Sequence, residues 1–456
     1  MKKLLAIVLV VLVAIAALPF VGNKIIDSEI KKQMDILTSH GIEVSESKIS
    51  SSYFHTTKHY ELTIKNSDKF SDYLSNFSNS QIPPYLKEML EGTKLATDIE
   101  YYNVPVNFEV VIDMYPLELS NKMMENIKKD DPKLAIFVKE FFQKGGLTYH
   151  LNLNVKTKEF KGFIKDIDET YTTKKGSEIK AKLKGTTYSG KGNVFIPEFI
   201  DSKIEHLSID AKDDTQSVNL LLKNISTLST FESRSTYATN LKCQNISVKT
   251  TGAKEDIDFD LTNSFFDISS NAKGQKAEVN LKTTFDKMDI NSAKEKFALN
   301  DFVFDMAFKN IDKDAFEKLI NTINDAQTDD SAKMQLQIKQ DVENVLSRGI
   351  DIKIPDLSVK SISMSDTKSL RGFSLNSLLV LPPNVLTSHV RSPLQIMDKI
   401  KLEFFLKISK DLFTKMSNSS PMVAITKGYA KDLKDDLVYD VKLDKGSINI
   451  NGKVIR

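Results

Sequence analysis

The stretch Leu147-Thr148-Tyr149-His150-Leu151-Asn152-Leu153-Asn154-Val155 puts a large apolar residue at every second position. Successive side chains of a β-strand point to opposite faces, so this spacing predicts a strand with one dry face and one wet face. The alternation recurs at Val218–Leu222, Ile257–Leu261, Val279–Phe285 and Phe302–Phe308, each bounded by Lys, Asp, Asn or Gly. One apolar and one polar face per strand is the pattern of antiparallel sheet. Few long helices interrupt the series. The chain therefore reads as α+β and β-rich: a large antiparallel, curved sheet with short helices packed on one face, plus one N-terminal transmembrane helix.

Outward from this stretch the period changes in places. From Lys24 to His40, Ile26, Ile30, Met34 and Leu37 recur at helical spacing, and Gly41 is a natural stop. Tyr60, Leu62 and Ile64 return to the strand period, as does Val104 to Tyr115. Asp68 to Ala96 reads as loop and short helix. Pro116 to Lys144 reads as helical until Gly145-Gly146. Helices are also predicted over Ala315–Asn324, Ser331–Arg348 and Pro421–Ala430, with a strand at Ile350, Ile352 and Ile354 closed by Pro355. The chain ends in a hairpin, from Leu437 through Leu443 to the turn Asp444-Lys445-Gly446 and on to Ile448 and Ile450, with Val441 and Ile448 sharing its dry face. Segment 304–319 resembles segment 402–416: each is an alternating strand followed by Lys-Asp-x-Phe-x-Lys, which implies one strand–helix corner used twice. The expected organisation is an anchor over 1–22, an amphipathic helix over 23–41, a β-rich body over 42–300 and an α+β part over 301–456.

Composition narrows the function. The 456 residues include 63 Lys and Arg against 61 Asp and Glu, and the excess is Lys2 and Lys3 at the start. The body is thus electrically balanced, which removes the usual reason to bind nucleic acid. Cys243 is the one cysteine, so neither a disulfide nor a thiolate metal cluster can form within the chain. Its neighbours Leu241, Ile246 and Val248 predict a buried strand position.

Leu4 to Val21 carries no charge and is broken only by Pro19. About 18 such residues approach what a hydrocarbon core of about 30 Å requires. Lys2 and Lys3 keep the start of the chain in the cytoplasm and place the body outside. Ala14-Ile15-Ala16 offers a signal-peptidase match, but the apolar run continues past it, which favours a retained anchor over a cleaved signal.

The residues that suggest chemistry do not form a site. Gly185-Thr186-Thr187-Tyr188-Ser189-Gly190-Lys191-Gly192 matches a phosphate loop except at its last position, which must be Ser or Thr to hold Mg²⁺. His55 and His59 are four apart, but on a strand that spacing separates them by about 13 Å. His40, His150, His206 and His389 are scattered singly. Asp213-Asp214, Asp329-Asp330 and Asp435-Asp436 read as solvated turns, since neighbouring carboxylates on a strand face opposite ways. No catalytic residue, metal ligand or cofactor is nominated, and an enzyme is not expected.

Two places resemble a known family. Ser51-Ser52-Tyr53-Phe54-His55-Thr56-Thr57 before the strand Tyr60–Ile64 is similar to the aromatic-Phe-Ser-Ser element of the YdgA-like bacterial proteins, a family of unknown function. Lys427-Gly428-Tyr429, Leu437–Val441 and Gly446-Ser447-Ile448-Asn449-Ile450-Asn451-Gly452-Lys453 resemble its closing hairpin. Ser52 stands where that element has Gly, and His55-Thr56 where it has Ser-Ser. The resemblance implies a bacterial inner-membrane protein with one span and a periplasmic body, with no settled activity. A looser similarity runs to the AsmA-like envelope proteins. The function expected is binding of membrane lipid or another apolar ligand along a sheet groove; the alternative is a module that docks onto envelope protein partners or a second copy of itself. Sequencing the start of the mature protein from membranes is expected to find the apolar run intact; a start at Ala17 or Leu18 would show a cleaved signal.

Overall fold

The computed structural model describes residues 24–455 except 53–54, 79–83, 103–107, 193–196, 253–255, 326–330, 366–368 and 386–395. The anchor expected over 1–22 lies outside the described residues, as does the Tyr53-Phe54 pair. Among the described residues no helix is long and apolar enough to cross a membrane. The described chain is a large antiparallel sheet of 22 strands with a few short helices. Contacts divide it into two units, Met1–Thr230 and Phe231–Arg456. Residue 300, the boundary expected from sequence, lies inside a continuous strand, Lys296–Asp312.

The first unit contains α1 (Lys24–Ser39), β1 (Ile42–Ser51), β2 (His55–Ile64), α2 (Ser67–Ser78), α3 (Pro84–Leu90), β3 (Lys94–Tyr102), β4 (Glu109–Glu118), α4 (Asn121–Asp130) and α5 (Pro132–Gln143). The strands β5 (Tyr149–Asn154), β6 (Glu159–Ile164), β7 (Ile167–Thr172), β8 (Glu178–Lys184), β9 (Thr186–Gly192), β10 (Pro197–Lys212) and β11 (Gln216–Ser233) follow. Antiparallel pairing runs from β1 through β6 to β9, β10 and β11, while β8 pairs against the second half of β10 and β7 pairs with β8. Alternation does what the sequence implies: Leu62, Ile99, Ile112 and Leu151 point into one core. The amphipathic α1 lays Ile26, Ile30 and Leu37 on that core and stops where Gly41 takes φ +85°. Asp27 fastens it, accepting from the Tyr101 hydroxyl and from Lys58 Nζ, each at 2.7 Å.

One expected helix is two. Pro116 belongs to β4. Asp131 ends α4 and caps α5, its side chain accepting from the Lys133 N–H, because Pro132 has no N–H to continue a helix but suits the first turn of a new one.

The second unit contains β12 (Thr236–Gly252), β13 (Ile257–Asn271), β14 (Lys276–Ser292), β15 (Lys296–Asp312), α6 (Lys313–Asp325), α7 (Ser331–Ser347), β16 (Ile350–Met364), β17 (Leu370–Leu381), β18 (Lys401–Ser409), α8 (Lys410–Ser419), α9 (Pro421–Thr426), β19 (Lys431–Asp432), β20 (Asp436–Asp444), β21 (Ser447–Ile450) and β22 (Lys453–Val454). Strands β12 to β18 pair in chain order, then β20, β21 and β22. The duplicated segment is a duplicated corner. β15 turns into α6 with Asp312 accepting from the Ala315 N–H, and β18 turns into α8 with Ser409 accepting from the Leu412 N–H. Both are N-caps, and both bury the next apolar pair, Ala315 and Phe316 or Leu412 and Phe413. Because β15 and β18 run in opposite directions, the corners close opposite ends of the strands, and each seeds a core of its own. α7 is pinned to α6 by the buried Asp341, which accepts from Lys318 Nζ and Thr322 Oγ1 at 2.6 Å. The Lys318 hydrogen bond leads in holding that carboxyl below its usual range.

Two details depart from regular strands. β16 does not stop at Pro355 but continues to Met364, with a register shift between Ile354 and Leu357 that accommodates the missing N–H. Asp301 takes φ +50° in the middle of β15. Leu299 and Phe302 on either side of it pack in one core, although three residues apart, and so do their partners Ile362 and Val359. An extra step in both strands has reset the alternation without breaking the pairing. In the closing hairpin Val441 and Ile448 are half-buried; Val441 pairs with Ile450, and Ile448 with Leu443.

Leu412 is 2% exposed and fills the core of the second corner. Leu412→Ala is expected to lower unfolding free energy by about 3 kcal/mol in a urea titration. Ile425→Ala, at a position 72% exposed, is expected to stay within about 0.5 kcal/mol.

Candidate functional site

In the first unit the face opposite Ile99, Ile112 and Leu151 carries a row of ionisable side chains, one per strand. Register pairs His59 with Asp98, Asp98 with Asp113, Asp113 with His150 and His150 with Phe163. Directly opposed residues share a face, so two carboxylates meet at the centre with an imidazole on either side. Like charges there would repel; each is instead given a donor. His59 Nδ1 lies 2.6 Å from Asp98 Oδ1, the Tyr115 hydroxyl donates to Asp98 Oδ2 at 2.9 Å, and His150 Nδ1 lies 2.7 Å from Asp113 Oδ1. Burial, aided by the Asp98 carboxylate, pushes the Tyr115 hydroxyl up to about 12, so it remains a donor.

The same contacts say what the row does not do. The Asn152 amide lies 3.0 Å from His150 Nε2. A carboxylate at Nδ1 requires a hydrogen there, so in neutral imidazole Nε2 accepts from Asn152 and its lone pair is occupied. His150 is held in place through both ring nitrogens. Among the described residues no group of three or more His, Cys, Asp or Glu side chains is placed to hold a metal ion. Asp98, Asp113 and His150 of the row line an open groove of about 660 Å³ together with Phe142, Gln143 and Lys144 at the end of α5. α1 packs on the other face, the one that carries Ile99, Ile112 and Leu151.

The residues weighed from sequence fall as follows. His55 and His59 are both on β2; His55 Nε2 is 3.7 Å from Glu100 and His59 belongs to the row. The Gly185–Gly192 segment is strand β9 and its approach, paired on both sides by β6 and β10. Gly190 is small because a Cβ there would collide with the Phe160 ring and the Phe199 carbonyl. Cys243 is 3% exposed, its thiol donating to the Asn245 carbonyl at 3.3 Å. Asp213 forms a turn, accepting from the Thr215 and Gln216 N–H groups. Asp329-Asp330 lies outside the described residues. Asp436 is no solvated turn: it is 8% exposed and paired with Arg371 at 2.7 Å and Lys407 at 3.3 Å. Sequence spacing missed the polar row because its members are far apart in the chain; their one shared signal is a place on the wet side of an alternating strand.

A second feature lies in the second unit. Phe259, Leu261, Phe266 and Ile268 sit on one face of β13, where Asn263 at φ +51° resets the alternation between Leu261 and Phe266, and none is buried. Rows of apolar partners cross it: Val248, Phe259, Ile290 and Phe297; Ile246, Leu261, Met288 and Leu299. These rows run into the core of one corner at Phe297 and Leu299. Val279 and Phe308, paired across β14 and β15, lead into the other. Between the two corners the apolar side chains stay half-exposed.

No protein-family model, curated protein or solved structure matches this chain.

Asp113→Ala removes the acceptor of His150 Nδ1–H from a partly buried row. A loss of about 1–2 kcal/mol in chemical unfolding is expected, against no more than about 0.5 for the exposed Lys161→Ala.

Proposed function

We propose that the chain is a non-enzymatic protein of the bacterial envelope, anchored by one inner-membrane span with its body in the periplasm, whose long-stranded sheet binds lipid or another apolar ligand. The half-exposed apolar residues of β13 carry this reading. Apolar surface in water costs roughly 25 cal/mol per Å², and rows of it across several strands are the kind of patch that binds a ligand. A curved sheet turns such rows into a groove. The exposed Ile257 and Ile290, 42% and 36% accessible, extend the patch toward its rim. The uncharged run from Leu4 to Val21, with Lys2 and Lys3 before it, supports the location, as does the resemblance to the YdgA-like proteins.

Photocrosslinking in cells tests it. Benzoyl-phenylalanine is placed at Phe266 or at Lys282, which pairs with Asp267 and so faces the other way. Lipid adducts are expected at 266 and not at 282. Adducts at neither position, or equally at both, would overturn the reading and favour a module that docks onto other envelope proteins.

A further inference from the structure

We propose that the polar face of the first unit is a binding site for an oligosaccharide, laid across the strands over Phe163. The side chain of Phe163 is 45% exposed, and its partners on the two flanking strands, His150 and Thr187, are polar. It lies at the junction of two open grooves: the one lined by Asp98, Asp113 and Tyr115, and a second of about 720 Å³ lined by Asn152, Thr187 and Asp201. An aromatic ring left uncovered among polar groups suits a ligand with a matching mixed character. A pyranose has an apolar face of C–H groups, which lie favourably on the negative face of a ring, and a rim of hydroxyls. His150 stacks against Phe163 with centroids 4.6 Å apart, which fixes the ring as a platform.

The surrounding groups supply the rim. Asp113 spends one carboxylate oxygen on His150 and keeps the other as an acceptor; Asn152 gives its amide N–H to His150 and keeps its carbonyl. Thr148 donates to the Gly145 carbonyl and can still accept, and Thr187 can donate or accept. The two grooves include Asp98, Asp113 and Asp201 against Lys144, Lys161, Lys165 and Lys203, close to charge balance. A polyanion would need a basic excess, and an acyl chain would have to desolvate these charges, so a neutral polyhydroxylated ligand fits best. The face spans β3, β4, β5, β6, β9 and β10, five strand spacings or about 24 Å. That length suits several linked sugars better than one. This site is separate in place and chemistry from the apolar rows of the second unit.

The test is titration calorimetry on the full chain in a sugar-free detergent, with β-1,4-linked hexamers of glucose and of N-acetylglucosamine as probes. At least one hexamer is expected to bind, at least tenfold more tightly than its monosaccharide. Phe163→Ala is expected to weaken that binding at least tenfold and Phe163→Tyr, which keeps the platform, to preserve it. Asp201→Lys, at an exposed strand position, is a second variant expected to weaken it. Failure of both hexamers to bind at millimolar concentration, or binding unchanged in folded Phe163→Ala and Asp201→Lys, would overturn the proposal.

Discussion

The second unit is governed by a mismatch of lengths. Strands advance about 3.4 Å per residue and helices about 1.5 Å. The 17 residues of β15 therefore extend about 58 Å, whereas the 13 residues of α6 reach about 20 Å and the 10 of α8 about 15 Å. Helices that short, each following directly on a strand end, can cover the sheet only near that end. The capped corners at Asp312 and Ser409 put them there, and two separate cores result. The half-exposed state of β13 follows from this geometry, and the proposed ligand role rests on it.

The first unit solves the burial problem differently. Its strands β1 to β6 have 6–10 residues, and α1 and α2 cover one face of them, with Ile26, Ile30 and Phe70 essentially inaccessible. The opposite face is then free to be polar. Two facing carboxylates are tolerable there only because two imidazoles and a phenol are arranged around them. Such a network rigidifies the face at the same time as it satisfies it. One sheet architecture thus presents an apolar surface in one unit and a hydrogen-bonding surface in the other.

Much of this was legible in the residues. Period-two runs located β5, β13, β14 and β15, and the Lys-Asp-x-Phe-x-Lys repeat pointed to two equivalent corners before any contact was known. Failures had local causes. Pro116–Lys144 reads as one helix by apolar spacing, yet Asp131-Pro132 is both a stop and a start. Pro355 reads as a strand terminus, but a register shift absorbs it. The reset at Asp301 was invisible because Asp tolerates a positive φ but stands equally well at an ordinary solvated position on a strand's wet face. The polar row was hidden for another reason: a strand's wet face can hold a pairwise-satisfied network or plain solvated side chains, and the two have the same period. Only the register of β2 against β3, β4 and β5 separates them.

The central claim is that the apolar face of β13 is a ligand surface and not a packed interior. The chain contains no tryptophan, so Phe266→Trp would report on that face alone. Its emission is measured as a fatty acid brominated along the acyl chain is added to the full-length protein, with Lys282→Trp on the other face as control. The account expects quenching at position 266 and little at 282. Emission at 266 that is unmoved by the brominated chain, in a protein that remains folded, would contradict it.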